Sequence, residues 1–255
     1  MGPEHLFKYG SLNEYSKDLF TTPTLYFSSS SQFNDPFECR PRVVFDGDDR
    51  LVIASFARSL MQRDPTLSAH DAVVEANVLM QKSGNLQRRQ ESWNDLRQEM
   101  IKRVSEEVGM FCLSAVGDSI LMWSHYAKMH QGYCIQFESG DHTPFFGRAL
   151  PVKYQDEYPE VVAFKTIEYE LAEISLLTKS SAWSYEQEHR IMDFDSGKGP
   201  RTYPAALMKS ICFGLRMPAE DRAAIRSWVE QRSAPVAFYE AVQDPDDYRL
   251  LIRPA

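Results

Sequence analysis

Short segments of strand character and short segments of helical spacing follow one another irregularly along this chain, with neither a strand–helix–strand repeat nor a Gly-rich phosphate loop to organise them. That interleaving constrains the fold most. A doubly wound parallel sheet requires regular helical crossovers, so the expected class is α+β, a compact mixed or antiparallel sheet core with helices packed on it. Strand composition marks residues 5–9, 24–28, 109–114, 133–138, 149–154, 188–193, 209–213 and 236–241, and more weakly 39–45. Helical spacing marks Leu12, Tyr15, Leu19 and Phe20, a segment that Asp118 can cap and that runs to about residue 130 before Gly132, and residues 218–231. Phe164, Ile167, Leu171 and Ile174 repeat at three, four and three, which predicts one buried helical face after Pro159.

The 255 residues suffice for a sizeable core, and one domain over residues 1–255 is expected. Residues 51–108 are polar, charged and helical in character. Trp93, Leu96, Met100 and Val104 form a stripe there, and Ser83-Gly84-Asn85 interrupts it. This stretch reads as a helical insertion that covers the core or meets a partner without supplying central chemistry.

Lys and Arg number 28 against 36 Asp and Glu, a formal charge of −8, and no long basic run offsets it. Direct nucleic-acid binding through the phosphate backbone is therefore not expected. Residues 1–9 lack the pattern of a signal peptide, and no apolar run approaches the ~20 residues of a membrane helix, so a cytoplasmic protein without membrane association is expected. Cys39, Cys112, Cys134 and Cys212 are far apart with no Cys-x-x-Cys pair, which reads as reduced, mostly buried thiols and predicts no metal site.

Three clusters carry chemistry. The first joins Lys8 and Tyr9 to Tyr26, Phe27 and Ser28 and then to Asn34, Asp35, Pro36, Phe37 and Glu38. Its aromatics offer faces for a flat ligand, and its polar groups suit hydroxyls or a proton, although an Asx-Pro turn among core aromatics gives the same pattern. The second is Trp123, Ser124, His125 and Tyr126. On a helix Met122, Tyr126 and His130 share a face that His125 leaves, so the histidines do not pair on a metal, and His125 stands as a lone titratable candidate. In the third, running from Trp183 to Arg190, a continuous strand would project Glu186, Glu188 and Arg190 to one side. Adjacent carboxylates suit acid and base work, whereas Arg190 would convert them to a structural ion pair. Nucleophile-elbow, Walker, His-Glu-x-x-His and dinucleotide fingerprints are absent.

Taken in order, Lys8-Tyr9, the Leu25 to Ser28 strand, Phe33-Asn34-Asp35-Pro36-Phe37-Glu38, Trp123 to Ala127, Trp183 to Arg190 and Ile211 to Met217 resemble the bacterial family called domain of unknown function 2971. A second, weaker resemblance is to the ADP-ribosyltransferase superfamily. It implies that Glu188 stabilises the oxocarbenium-like ribose as nicotinamide leaves NAD, that Glu186 activates an acceptor, that Tyr9 stands at the strand-one position, and that Tyr26 or Phe27 packs on nicotinamide. The first strand departs from that pattern by carrying Lys8-Tyr9 where a His or Arg is usual.

The leading expectation is therefore an enzyme that cleaves the N-glycosidic bond of NAD or a related nucleotide, with NAD as co-substrate, a small-molecule nucleotide as ligand and an undefined acceptor. Glu188 and Glu186 would be catalytic. Lys8, Tyr9, Tyr26, Phe27, Ser28, Asn34, Asp35, Glu38, Trp123, His125, Tyr126 and Arg190 would bind substrate, the segments Lys8-Tyr9, Asn34 to Glu38, Trp123 to Tyr126 and Glu186 to Arg190 converging on one cleft. One alternative is a ligand-sensing or interaction module without turnover. Another is a nuclease with Asp35, Glu38, Glu186 and Glu188 around a divalent metal.

Overall fold

The structure, a computed structural model, describes residues 2–44, 49–82, 98, 101–102, 105–162 and 168–255. In chain order its strands are β1 His5–Gly10, β2 Thr24–Phe27, β3 Arg42–Val44, β4 Gly109–Ser114, β5 Tyr133–Glu138, β6 Leu150–Pro151 and β7 Lys153–Gln155. The remaining strands are β8 Glu160–Val162, β9 Thr178–Ser180, β10 Glu188–Asp193, β11 Gly199–Thr202, β12 Met208–Phe213, β13 Ala237–Gln243 and β14 Leu250–Pro254. Contacts divide the chain into two compact units, the first made of Met1–Asn34, Glu106–Asp156 and Lys179–Ala255, the second of Asp35–Ser105 and Glu157–Thr178.

The first unit holds an eight-stranded sheet in the order β14-β13-β12-β5-β1-β4-β10-β6. Only the β12/β13 pair is parallel in it, so the sheet is mixed and the class is α+β. Because strand side chains alternate, each strand serves two faces. Leu6, Phe111, Leu113, Ile135, Phe137, Ile191, Ile211 and Phe213 pack on one face with Phe20 of the helix Ser16–Thr21 and with Ile225 and Val229 of the helix Ala219–Val229. On the other, Tyr9, Cys134, Cys212 and Ala241 pack with Met122 and Trp123 of the helix Ile120–Tyr126. Each fully buried large side chain contributes roughly 1.5–3 kcal/mol by leaving water, so the two clusters fix the register of the whole sheet.

The helix Ile120–Tyr126 differs from expectation at both ends. Ser119, not Asp118, caps it, its hydroxyl accepting from the Met122 N–H at 3.4 Å. It stops at Tyr126 because Lys128, Met129 and His130 have φ of 48°, 54° and 67°, the left-handed region that no α-helix continues through. Gly132 then leads into β5 where the backbone of β1 is so near that a Cβ would stand 2.1 Å from the Gly10 carbonyl oxygen. The predicted strand over 149–154 is divided into β6 and β7, with the Val152 N–H bonded to the Glu188 carbonyl between them. Short β11, which the sequence did not signal, pairs with β2 in a separate ribbon.

In the second unit the helices Asp49–Arg63 and Ala69–Lys82 pack through Ala57, Ala72 and Ala76, with Ile53, Phe56, Leu60 and Leu67 against them. Strands β3 and β8 pair in parallel, and Arg42 forms an ion pair with Glu160. The helix Glu168–Leu176 carries Leu171 and Ile174, whereas Phe164 and Ile167 lie outside the described residues. So do Trp93, Leu96, Met100, Val104 and Ser83-Gly84-Asn85. Among the described residues no helix is long and apolar enough to cross a membrane.

Gly132→Ala is expected to lower unfolding stability by roughly 1–3 kcal/mol, the usual cost of overpacking against an unyielding group, here a backbone carbonyl. A urea titration of the purified protein reads this directly. An unchanged midpoint would mean that β1 and β5 separate freely at this point.

Candidate functional site: a buried carboxylate and cation network

Glu186 and Glu188 do not share a strand. Ser181–Glu186 is a 3₁₀ turn, Gln187 comes next with φ of 44°, and β10 begins at Glu188. The left-handed residue replaces the strand alternation that would have aligned the two carboxylates, and both nevertheless reach one ammonium. Lys179 of β9 donates to Glu186 Oε2 at 2.5 Å and to Glu188 Oε2 at 3.1 Å. Arg190 grips Glu188 with two parallel bonds, Nε to Oε1 and Nη2 to Oε2, both 2.8 Å. Tyr126 Oη donates to Glu186 Oε1 at 2.5 Å. Glu186 is 3% exposed, Glu188 6%, Lys179 6% and Arg190 0%.

Backbone bonds fix this cluster to its strands. Ser114, facing Glu188 across β4 and β10, donates its hydroxyl to the Glu186 carbonyl at 2.6 Å. The Glu188 N–H donates to Tyr154 Oη at 2.8 Å. Arg190 lies over the Phe33 ring at 5.3 Å and Lys179 over Trp183 at 5.2 Å, cation–π contacts that add to the electrostatic compensation.

Two positive and two negative groups make a set with no net charge, which is the condition for burying four ionised side chains. Burial raises the pKa of Glu188, and the neighbouring Glu186 adds to that, while Lys179 and Cys112 work against it. Burial pulls Lys179 down, but the two carboxylates outweigh it and its pKa ends above the ordinary lysine value. Burial lowers Arg190 to about 9, still charged at neutrality in its two-bonded contact. Burial also pushes Tyr154 up to about 12 and raises Tyr126, the latter with help from Glu186. The thiol of Cys112 is raised as well, by burial first and Glu188 second.

The structure thus brings Tyr126, Glu186, Glu188 and Arg190 together. Tyr9 belongs to the hydrophobic cluster against which Tyr126 packs, its hydroxyl donating to the Val116 carbonyl at 2.9 Å and its ring 5.4 Å from that of the wholly buried Trp123. Lys8, one residue back on β1, instead donates to the Cys112 carbonyl at 3.0 Å and lies over Phe111. His125 is exposed, bonded through Nδ1 to Tyr185 Oη at 2.8 Å, with Trp183 beside it.

Three other candidates of the first unit, Tyr26, Phe27 and Ser28, make none of these contacts. Phe27 is buried in the core, stacked on Phe111, while Tyr26 is 57% exposed on the β2/β11 ribbon and Ser28 bridges to Met110 of β4. Asp35 and Glu38 belong to the second unit, where Asp35 Oδ1 accepts from the Phe37 N–H at 2.9 Å in the expected Asx turn. All four cysteines are free thiols, Cys112 partly exposed and the others buried. Among the described residues no three or more His, Cys, Asp or Glu side chains are placed to hold a metal ion.

Sequence reasoning missed Lys179, Ser114 and Tyr154. Lys179 comes just after the apolar Leu176-Leu177 pair in a stretch with no charge pattern to mark it, and only the fold turns it toward Glu186. Ser114 had one signal, its place at the end of an apolar strand.

The fold and this network define an α+β protein organised around buried, mutually neutralised carboxylates. Residues 122–191, from Met122 in the helix to Ile191 in β10, match the family described as Protein of unknown function (DUF2971), so the family resemblance read from the motifs holds over that stretch. No curated protein and no solved structure matches the chain. The likeness to ADP-ribosyltransferases receives no support from these comparisons.

Lys179→Met leaves two buried carboxylates to one guanidinium and is expected to cost about 3–5 kcal/mol of stability near neutrality. The pH dependence carries a sign. Removing the ammonium raises the folded-state pKa of Glu188 further above its unfolded value near 4.5, so the variant's stability falls as pH rises through that window. Urea midpoints at pH 5 and pH 8 should show the deficit against the unmutated protein widening at pH 8. A deficit independent of pH would mean the network is not coupled through Lys179.

Proposed function

We propose that the chain acts on NAD or a related nucleotide by cleaving the N-glycosidic bond between ribose and nicotinamide. The observation that carries this reading is the meeting of Glu186 and Glu188 on Lys179, with Tyr126 donating to Glu186, beside the ring group of His125, Trp183 and Tyr185. When that bond breaks, its electron pair leaves with nicotinamide and positive charge develops on the ribose. A fixed carboxylate in a partly dry site stabilises such charge far better than water does, and Glu188 is assigned that role. Glu186, linked to the Tyr126 hydroxyl, is assigned to activating the acceptor. The rings suit the flat nicotinamide. Substrate must displace one of the cations from Glu188, at a cost met by its other contacts.

One observation favours a second reading, a ligand-binding module without turnover: each oxygen of Glu186 and Glu188 already meets a donor. The two readings part on one experiment, in which NAD binding and nicotinamide release are followed for the unmutated protein, Glu188→Gln, Glu186→Gln and Trp183→Ala. The enzyme reading expects Glu188→Gln to keep binding while losing on the order of 10² to 10³ in rate, Glu186→Gln to lose less, and Trp183→Ala mainly to raise KM. Binding without release by the unmutated protein, candidate acceptors present, would establish the module instead. Release that survives Glu188→Gln would remove that residue from the mechanism.

A further inference from the structure

The sheet face that carries Glu188 also carries, farther along, an open groove of about 450 Å³, within the range of small-molecule sites. One register row crosses this face: Ser210, Gln136, Phe7, Ser114 and Glu188 on β12, β5, β1, β4 and β10. Ser210, Gln136 and Phe7 line the groove. Between them and the carboxylates stands the segment after β4, held down by the Ala115 N–H on the Gln187 carbonyl at 3.0 Å and by Tyr9 on Val116. The groove is therefore a separate compartment, independent of the roles assigned to Glu186 and Glu188.

Its chemistry is legible from its lining. Cys134 and Cys212, register partners on β5 and β12, form an apolar, polarisable half of the floor, and Gln136 with Ser210 form a polar half. The walls are Phe7 on β1 and Tyr239 on β13, strands three spacings or about 14 Å apart, which leaves room for a flat bicycle laid on the floor. Ser210 Oγ donates to Gln136 Oε1 at 2.8 Å. That bond orients the amide, so Gln136 offers one N–H pair and one remaining lone pair to a ligand. Among the described residues no group accepts from its amide nitrogen. An adjacent donor and acceptor is the complement of the amine and ring nitrogen of adenine. The lining includes the carboxylate of Asp118 and no Lys, Arg or His, so a phosphate is repelled.

We propose that this groove binds an aminopurine nucleoside without phosphate, the base lying on the two thiols and bonded edge-on to Gln136. The Asp118 carboxylate selects against nucleotides, which sets this site apart from one that takes NAD.

Isothermal titration of the full chain with adenosine tests it. Adenosine should bind at one site, with inosine, which lacks the amine, and AMP each weaker by about tenfold or more. Asp118→Asn should bring AMP close to adenosine. Gln136→Leu and Ile252→Trp, the latter filling the groove from its exposed lip, should each abolish most of the affinity, while Glu188→Gln should bind adenosine as the unmutated protein does. Should Gln136→Leu fail to fold by circular dichroism, Ile252→Trp decides alone. Absence of adenosine binding at millimolar concentration, equal affinity for inosine, or full affinity in folded Ile252→Trp would each overturn the assignment. So would loss of adenosine binding in Glu188→Gln that is folded by circular dichroism, which would place the nucleoside at the carboxylates.

Discussion

Four ionised side chains sit in the interior of this fold, and they can do so only as a set. Taking a carboxylate or ammonium out of water costs several kcal/mol even after relaxation, and the cost is offset only where partners meet it at short range with good geometry. Glu188 needs Arg190 two residues along its own strand; Glu186 needs Tyr126 from a helix sixty residues earlier; both need Lys179. Each requirement is also a constraint on the backbone. The left-handed Gln187, the 3₁₀ turn before it, the capped helix Ile120–Tyr126 and the register of β4 against β10 must all hold for the charges to cancel. Buried charge contributes little net stability, but it excludes any packing that leaves one partner unmatched.

The eight-stranded sheet divides its labour between its faces. One is an apolar core sealed by the helices Ser16–Thr21 and Ala219–Val229. The other carries polar and reactive groups in ordered rows, with aromatics between them. Edge-on contacts such as Tyr9 with Trp123 stiffen that second face without closing it, since a ring contributes large area and few rotatable bonds. A rigid, half-covered sheet face is a good platform for sites because the strands hold their side chains at fixed spacing.

The carboxylate network and the groove share this platform and differ in electrostatics. The network is neutral and closed by two cations, whereas the groove has one carboxylate at its rim and open space. Ligands for the two are therefore of different charge. The segment after β4 belongs to both, because it walls the groove and leads into the helix that delivers Tyr126 to Glu186.

Sequence alone determined most of the elements. Strand composition placed β4, β5 and β10 at their observed bounds, and irregular interleaving was enough for the α+β class, because period-two and period-3.6 patterns are local properties of the chain. It also determined that Glu186, Glu188 and Arg190 belong together, since they are near neighbours in the chain. Tertiary structure alone decided what those groups face. Lys179 has no pattern to announce it, Ser114 looks like the end of any strand, and Phe27 is as aromatic in a core as in a binding face. Even the neighbours were misjudged in detail, because one left-handed residue at Gln187 cancels the alternation on which the strand reading rested. Partners of a buried charge are chosen by distance in space, and that distance is set by sheet order, which joins β1, β4 and β10 across more than a hundred residues of chain.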